Sequence, residues 1–188
     1  MTATDPTGGQ AWFVTRAQAK AIRLIADDQN YDGMTTFGAG NPFTFSEPIA
    51  ASTWDFQGVA AHEISEVLGR VGLSGNGGYS LLDNFSYTGP GAKGLNGGPG
   101  NYFSIDNGRT LLKLFNNPQD NGLDSRDWAP GTNDAFNQFS APDVLNPVSA
   151  IDLQLMDVIG YDLVTRTMAM AAARRAFGVG VAARHVQK

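Results

Sequence analysis

The feature that most constrains this chain is a helical pattern over residues 56–71. At about 100° per residue, the apolar side chains of this stretch fall on one face, which predicts the core-facing side of a helix. These side chains are Ala60, Ile64, Val67, Leu68 and Val71. His62 and Glu66 lie on the other side, about 40° apart on the helical wheel. The chain is therefore expected to fold around a helix with one apolar and one polar face.

Two shorter elements are predicted before this helix. Thr15 and Gln18 have capping-box spacing and predict a helix over residues 15–30. Residues 34–37 and 43–46 are rich in β-forming side chains and are separated by a loop that contains Gly and Pro. The simplest prediction for this pair is a β-hairpin.

Glycine-rich loops and two further elements are predicted after it. The Asn-Gly within residues 106–109 tolerates the positive φ of a tight turn and predicts a hairpin between residues 102–105 and 110–115. Ser149 and Asp152 can cap a last helix that Gly160 would end. Short strands mixed with a few helices indicate an α+β fold.

Length and charge divide the chain into three parts. At 188 residues and 42% hydrophobic content, the chain can build one ordinary core. We predict a disordered lead over residues 1–11, a domain over residues 12–164 and a basic tail over residues 165–188. The tail carries five of the 13 Lys and Arg residues and no acid, so the rest has eight bases against 18 acids. An acidic body argues against nucleic-acid binding.

Composition also limits metal chemistry and membrane insertion. With no cysteine, a metal ion must be held by His, Asp, Glu, backbone atoms or water. No run reaches the 18 to 20 or so apolar residues of a transmembrane helix, so no transmembrane segment is expected. The first residues lack the basic and apolar regions of a signal peptide.

The candidate chemistry is in the sequence His62-Glu63-x-x-Glu66. It matches the zincin motif His-Glu-x-x-His, except that a carboxylate replaces the second His. Residues four apart lie on adjacent turns of a helix, so His62 and Glu66 can bind one zinc ion, and Glu63 can polarise its water. A third ligand is needed, and Asp83, just beyond the glycine-rich loop, is the leading choice.

Other readings of these residues remain open. Asp106 and His185 are weaker choices for the third ligand, because a turn position and a position in the tail already explain them. The His62 motif also fits a plain polar helix face. Oxygen-bearing side chains in the polar loop could bind calcium, although their spacing is not that of an EF-hand. They are Asp120, Asn121, Asp124 and Asp127.

Four ordered segments carry a resemblance to a known family. They are VAAHEISEVLGR at 59–70, LDNFSY at 82–87, YFSIDNG at 102–108 and MDVIGYDL at 156–163. They are similar to segments of bacterial secreted, zincin-like (metzincin-like) metallopeptidases, and the resemblance covers about residues 33–163. It implies a twisted mixed sheet with a long active-site helix and a C-terminal helix. It also implies zinc, hydrolysis of peptide or protein substrates, and secretion.

Two positions depart from the pattern of that family. Glu66 stands in place of the second His, and Gly72 stands where the usual third His would be. No Met-turn can be identified, and Met156 has the spacing of a core residue. From the His62 motif and the resemblance together, our first expectation is a zinc-dependent endopeptidase. We also expect a monomer. The alternatives are a catalytically inactive zincin-fold binding or surface module and a calcium-stabilised structural domain.

Overall fold

The computed structural model describes residue 5, residues 7–73 and residues 77–163. The α-helices are α1 (Arg16–Ala21), α2 (Phe56–Val67), α3 (Pro118–Asn121) and α4 (Ala150–Val158). The strands are β1 (Trp12–Phe13), β2 (Phe43–Thr44), β3 (Trp54–Asp55), β4 (Tyr79–Ser80), β5 (Ser86–Gly89), β6 (Ala92–Lys93), β7 (Tyr102–Phe103) and β8 (Lys113–Leu114). A 3₁₀ helix spans Leu82–Phe85. Few helices and several short strands confirm an α+β fold.

The described strands form three small sheets. One is antiparallel with four strands in the order β6-β5-β7-β8, and two are parallel pairs, β1-β4 and β2-β3. The predicted hairpin over residues 102–115 is confirmed as β7 and β8, with Phe103 opposite Lys113. Its turn places Asn107 at φ 64° and Gly108 at φ 77°, the positive values that Asn-Gly tolerates.

The predictions for residues 15–46 are only partly correct. The cap is confirmed, since the Thr15 side chain accepts a hydrogen bond from the Gln18 amide, but α1 ends at Ala21 rather than near residue 30. The hairpin is wrong, because β2 pairs in parallel with β3. The rings of Phe43 and Phe45 instead pack on Phe56, at centroid distances of 5.3 and 4.7 Å. Packing of these rings on Phe56, at the start of α2, thus accompanies the parallel pairing of β2 with β3 in place of a local hairpin.

The predicted central helix is confirmed as α2, but it is rotated from the expected orientation. Ile64 from the predicted core face is 48% exposed. The buried residues of α2 are Gly58 and Ser65, on the same side as His62. Small residues are needed there, because a Cβ atom on Gly58 would stand 2.6 Å from the Asn146 carbonyl oxygen. The polar face of α2 therefore turns toward the protein.

The core joins the antiparallel sheet to α4 and to the loop between them. Its fully buried side chains include Leu82, Phe103, Trp128, Leu155 and Ile159. Helix α4 has the predicted capping box between Ser149 and Asp152. Asp152 also accepts a hydrogen bond from the Trp128 indole at 2.6 Å. Met156 packs against this core, as predicted.

The basic tail over residues 165–188 lies outside the described residues. Of the predicted lead, residues 5 and 7–11 are described. There the Asp5 carboxylate accepts hydrogen bonds from the amides of Thr7 and Gly9 at 2.8 and 2.7 Å. Within the part of the chain that the structure describes, no helix is long and apolar enough to cross a membrane.

We predict that Asp152→Ala lowers the free energy of unfolding by about 2 to 4 kcal/mol, because it leaves the Trp128 indole and the Ser149 amide without their acceptor. Asp157→Ala, on the exposed side of the same helix, should change it by less than about 0.5 kcal/mol. Urea unfolding followed by tryptophan fluorescence measures both. Equal losses in the two variants would contradict the role of Asp152.

Candidate metal centre

Helix α2 is tied at its start to the loop that covers its inner face. Asp55 caps the helix by accepting from the Gln57 amide at 3.0 Å. The other carboxylate oxygen of Asp55 accepts from the Asn146 amide, also at 3.0 Å. The loop over residues 116–147 is thereby held against the side of α2 that carries His62.

His62 is held at both ring nitrogens. Nδ1 lies 3.0 Å from the carbonyl oxygen of Ala135. Nε2 lies 3.1 Å from Oε1 of Glu66 and 3.6 Å from Oδ1 of Asp127. Only 16% of the His62 side chain is exposed. The ring is therefore fixed in position and aimed at two carboxylates.

The hydrogen bonds decide the tautomer of His62. A carbonyl oxygen only accepts, so Nδ1 carries the hydrogen that bonds to Ala135. Nε2 then faces carboxylate oxygens of Glu66 and Asp127, which also only accept when ionised. Such a contact is stable only if Nε2 is protonated, which makes the ring a cation, or if a metal cation lies among the three atoms.

The three ligand atoms have spacings that suit a zinc ion. One ring nitrogen of His62 and one carboxylate oxygen each of Glu66 and Asp127 all lie within 4.8 Å of one another. With bonds of about 2.0 to 2.1 Å, neighbouring ligand atoms of a tetrahedral zinc stand about 3.3 to 3.4 Å apart. The distances of 3.1 and 3.6 Å from His62 Nε2 lie on either side of that value. A backbone carbonyl on the far nitrogen is also the usual support of a metal-binding histidine.

Arg70 is a cation already present beside these carboxylates. Its guanidinium donates to Asp127 Oδ1 at 2.6 Å and lies 3.4 Å from Glu66 Oε1. Nε donates to Ser65 Oγ at 2.7 Å, and the guanidinium carbon lies 4.6 Å from the centre of the Phe136 ring. With 1% exposure, Arg70 is part of the interior. Its charge offsets part of the negative charge that would attract a metal ion.

Asp83 does not lie with these residues; the carboxylate that lies beside His62 and Glu66 is that of Asp127 rather than that of the predicted Asp83. Asp83 is fully buried and accepts from the Arg126 guanidinium at 2.6 and 2.8 Å. Its other oxygen accepts from the amides of Ser80 and Leu73 at 2.7 and 3.2 Å. All the acceptor capacity of Asp83 is thus used inside the fold.

The remaining candidates are also accounted for. Asp106 accepts from Ser104 and Thr110 within the hairpin turn, which is a structural role. Asp124 accepts from the Arg126 amide, and Asp127 points to Arg70 and His62. Within residues 5, 7–73 and 77–163, His62, Glu66 and Asp127 are the one carboxylate and histidine group close enough to hold a metal. The loop aspartates Asp120 and Asp124 are not part of that group, and His185 lies outside the described residues.

Glu63 lies beside a cavity of about 130 Å³ next to the candidate centre. His62, Glu63, Asp134 and Ala135 form part of its wall. Lys113 forms an ion pair with Asp134, the other carboxylate in this wall, rather than with Glu63. The cavity therefore brings the predicted base and the predicted ligand to one surface.

Sequence reasoning did not place Asp127 beside His62 and Glu66 and did not assign Arg70 any role. Asp127 follows α2 by about sixty residues, and no spacing rule connects a helix to a distant loop. Arg70 follows Gly69, which has a positive φ of 108° just after the end of α2 and so changes the direction of the chain there. That glycine was the only sign in the sequence that Arg70 would point inward.

Comparisons with protein-family models, with curated proteins and with solved structures gave no match. The function therefore has to be inferred from the residues and geometry of the site.

The charges around His62 shift three pKa values. Burial disfavours the imidazolium, but the hydrogen bond to Glu66 and the charge of Asp127 outweigh burial and Arg70, so the pKa of His62 is raised above 6.5. Burial alone would raise the pKa of Glu66, but the contacts with His62 and Arg70 lower it. Burial raises the pKa of Asp127 to about 6 despite Arg70 and His62.

We predict that the pKa of His62 in the metal-free protein lies above its ordinary value of 6.5, and that Glu66→Gln lowers this pKa because it removes the charged acceptor of the His62 ring. Nitrogen-15 NMR of the imidazoles measures both values, with His185 as a second histidine in the same spectrum. A raised folded-state pKa adds stability below the unfolded value. Unfolding free energy should therefore fall as pH rises through the pKa of His62. Identical titration of His62 in both proteins would contradict the contact with Glu66.

Proposed function

We propose that this protein is a zinc-dependent endopeptidase whose metal is held by His62, Glu66 and Asp127. The observation that carries the proposal is the convergence of Nε2 of His62 on two carboxylate oxygens while Nδ1 is anchored at Ala135. That arrangement supplies three ligands of the types zinc accepts without cysteine.

A zincin-like fold is part of the same proposal. Helix α2 carries the His-Glu motif on its inner face, and the loop before α4 supplies Asp127. Helix α4 follows α2 along the chain, which is the order that the resemblance implies for the C-terminal helix and the active-site helix. Secretion rests on the same resemblance, and both secretion and a monomeric state remain predictions.

The proposed chemistry divides between the metal and the side chains of the chain. His62, Glu66 and Asp127 would hold the zinc ion, which would supply the Lewis acidity that activates a water and polarises a scissile carbonyl. The Glu63 carboxylate accepts a proton from the attacking water and passes it to the leaving amine. The Ala135 carbonyl keeps the hydrogen of His62 on Nδ1, so that Nε2 is free to bind the metal.

A catalytically inactive zincin-fold module is the second candidate, and Arg70 is the observation that favours it. This buried guanidinium already contacts Asp127 and Glu66. With His62 protonated, the carboxylates have cationic partners without any metal, and the network becomes purely structural. Zinc content separates the two candidates.

We predict about one zinc ion per chain after dialysis against trace zinc, and its loss in His62→Ala. His185→Ala is the matched control and should keep the zinc. Mass spectrometry of the metal content measures each protein. A folded wild type that holds no zinc would contradict the proposed centre and favour the inactive module.

We predict that Asp127→Asn weakens zinc binding by more than about tenfold, because a neutral amide is a poorer ligand than a carboxylate. Asp120→Asn changes an exposed aspartate of α3, a few residues before Asp127, and should leave the affinity unchanged. Competition with a fluorescent zinc chelator gives both dissociation constants. Unchanged affinity in Asp127→Asn would remove Asp127 from the centre.

We predict that Glu63→Gln keeps the zinc but lowers peptide cleavage by about 10²- to 10⁴-fold, since the amide cannot accept the proton. Glu47→Gln, in an exposed loop, should cleave like the wild type. Cleavage of a denatured protein followed by mass spectrometry detects activity without a known specificity. Full activity in Glu63→Gln would show that another group is the base.

A further inference from the structure

The two carboxylate oxygens that face His62 are the same two atoms that contact Arg70. Oε1 of Glu66 lies 3.1 Å from His62 Nε2 and 3.4 Å from Arg70 Nη2. Oδ1 of Asp127 lies 3.6 Å from His62 Nε2 and accepts a hydrogen bond from Arg70 Nη1 at 2.6 Å. A metal ion bound by these ligand atoms would therefore take oxygens that the guanidinium already uses.

Charge turns this overlap into a competition. The guanidinium of Arg70 stays protonated at any pH at which the protein is folded, so it is a permanent cation beside the two carboxylates. A divalent cation among the same oxygens is repelled by that charge at close range. The repulsion is strong because Arg70 is 1% exposed and water screens buried charges only weakly. Arg70 thereby raises the free energy of the metal-bound form.

Other contacts of Arg70 do not involve the candidate ligand atoms. Its Nε donates to Ser65 Oγ at 2.7 Å, and its guanidinium carbon lies 4.6 Å from the centre of the Phe136 ring. Nη1 also lies 3.4 Å from the carbonyl oxygen of Arg126. These contacts hold the guanidinium in the interior, so its charge remains beside the site whichever cation the carboxylates bind.

The candidate ligands are positioned by contacts other than those of Arg70. His62 and Glu66 are fixed on adjacent turns of α2. The carbonyl of Asp127 accepts a hydrogen bond from the Asn116 amide at 2.8 Å, which holds its main chain. Loss of the guanidinium therefore removes a competing charge, while the main chain that carries each ligand stays in place.

We propose that Arg70 is a built-in counter-ion that takes the place of the metal in the metal-free protein and keeps the zinc affinity of the centre low. The guanidinium neutralises the carboxylates of Glu66 and Asp127, and zinc must compete with it for both oxygens. The site is therefore built before a metal arrives, and zinc can enter and leave it without unfolding the chain. This inference rests on the ligands of the proposed function but not on peptide cleavage.

The first test compares the zinc affinity of the wild type with that of Arg70→Met, which removes the charge but keeps an unbranched side chain against Phe136. Zinc should bind Arg70→Met at least about tenfold more tightly, because the competing charge is gone. Competition with a fluorescent zinc chelator gives both dissociation constants. Arg70→Lys keeps the positive charge, so its affinity should stay near that of the wild type.

The melting temperature provides a second readout with a matched control. Arg70→Met should melt lower than the wild type without metal, because buried carboxylates lose their partner, and zinc should raise its melting temperature by more than that of the wild type. Arg126→Met removes the other buried arginine, which pairs with Asp83. It should also melt lower, but zinc should raise its melting temperature by no more than in the wild type. If Arg70→Met does not fold without metal, refolding with zinc, followed by circular dichroism, tests the same rescue.

The outcomes separate this inference from the peptidase. If the wild type binds zinc and Arg70→Met binds it equally or more weakly, the role of Arg70 is overturned and the metal centre stands. Zinc bound by Arg70→Met but not by the wild type would support the inference and contradict the zinc-dependent peptidase. Absence of zinc from both proteins would overturn both.

Discussion

The buried contact between Arg70 and Asp127 is the interaction on which the candidate centre depends. It joins the end of α2 to the distant loop through a 2.6 Å hydrogen bond between two groups with almost no exposure. An unpaired charge in this position would carry a large desolvation cost, so neither residue can be removed alone without penalty. The pairing also fixes Asp127 beside His62. The geometry proposed for the metal thus follows from the requirement to neutralise buried charge.

Neighbouring residues of one loop form two such pairs. Arg126 neutralises Asp83 within the 3₁₀ helix, and Asp127 neutralises Arg70 just after α2. The backbone between Arg126 and Asp127 therefore connects two parts of the fold that are far apart in sequence. This pairing explains why Asp83, attractive as a ligand from its position, serves the interior, while Asp127 reaches the centre.

The carboxylate at Glu66 fits this charge pattern. Glu66 accepts from His62 and lies within reach of Arg70, whereas a neutral imidazole at that position could accept at one nitrogen only. A carboxylate at the position of the second His of the His-Glu-x-x-His motif is thus consistent with a site that has Arg70 as a permanent neighbour. Its carboxylates are shared between Arg70 and His62 or a bound metal. That sharing is the physical basis of both proposed functions.

The sequence by itself determined the elements with strong local signals. These were the helical period of α2, the Ser149 capping box and the Asn-Gly turn of the β7-β8 hairpin, each set by bonds between residues a few positions apart. Local spacing also placed His62 and Glu66 one turn apart. Only the tertiary structure decided which face of α2 is buried, that β2 pairs with β3, and that Asp127 rather than Asp83 lies beside His62. Those outcomes depend on ring packing, close backbone approach and charge neutralisation between distant segments, which no local pattern encodes.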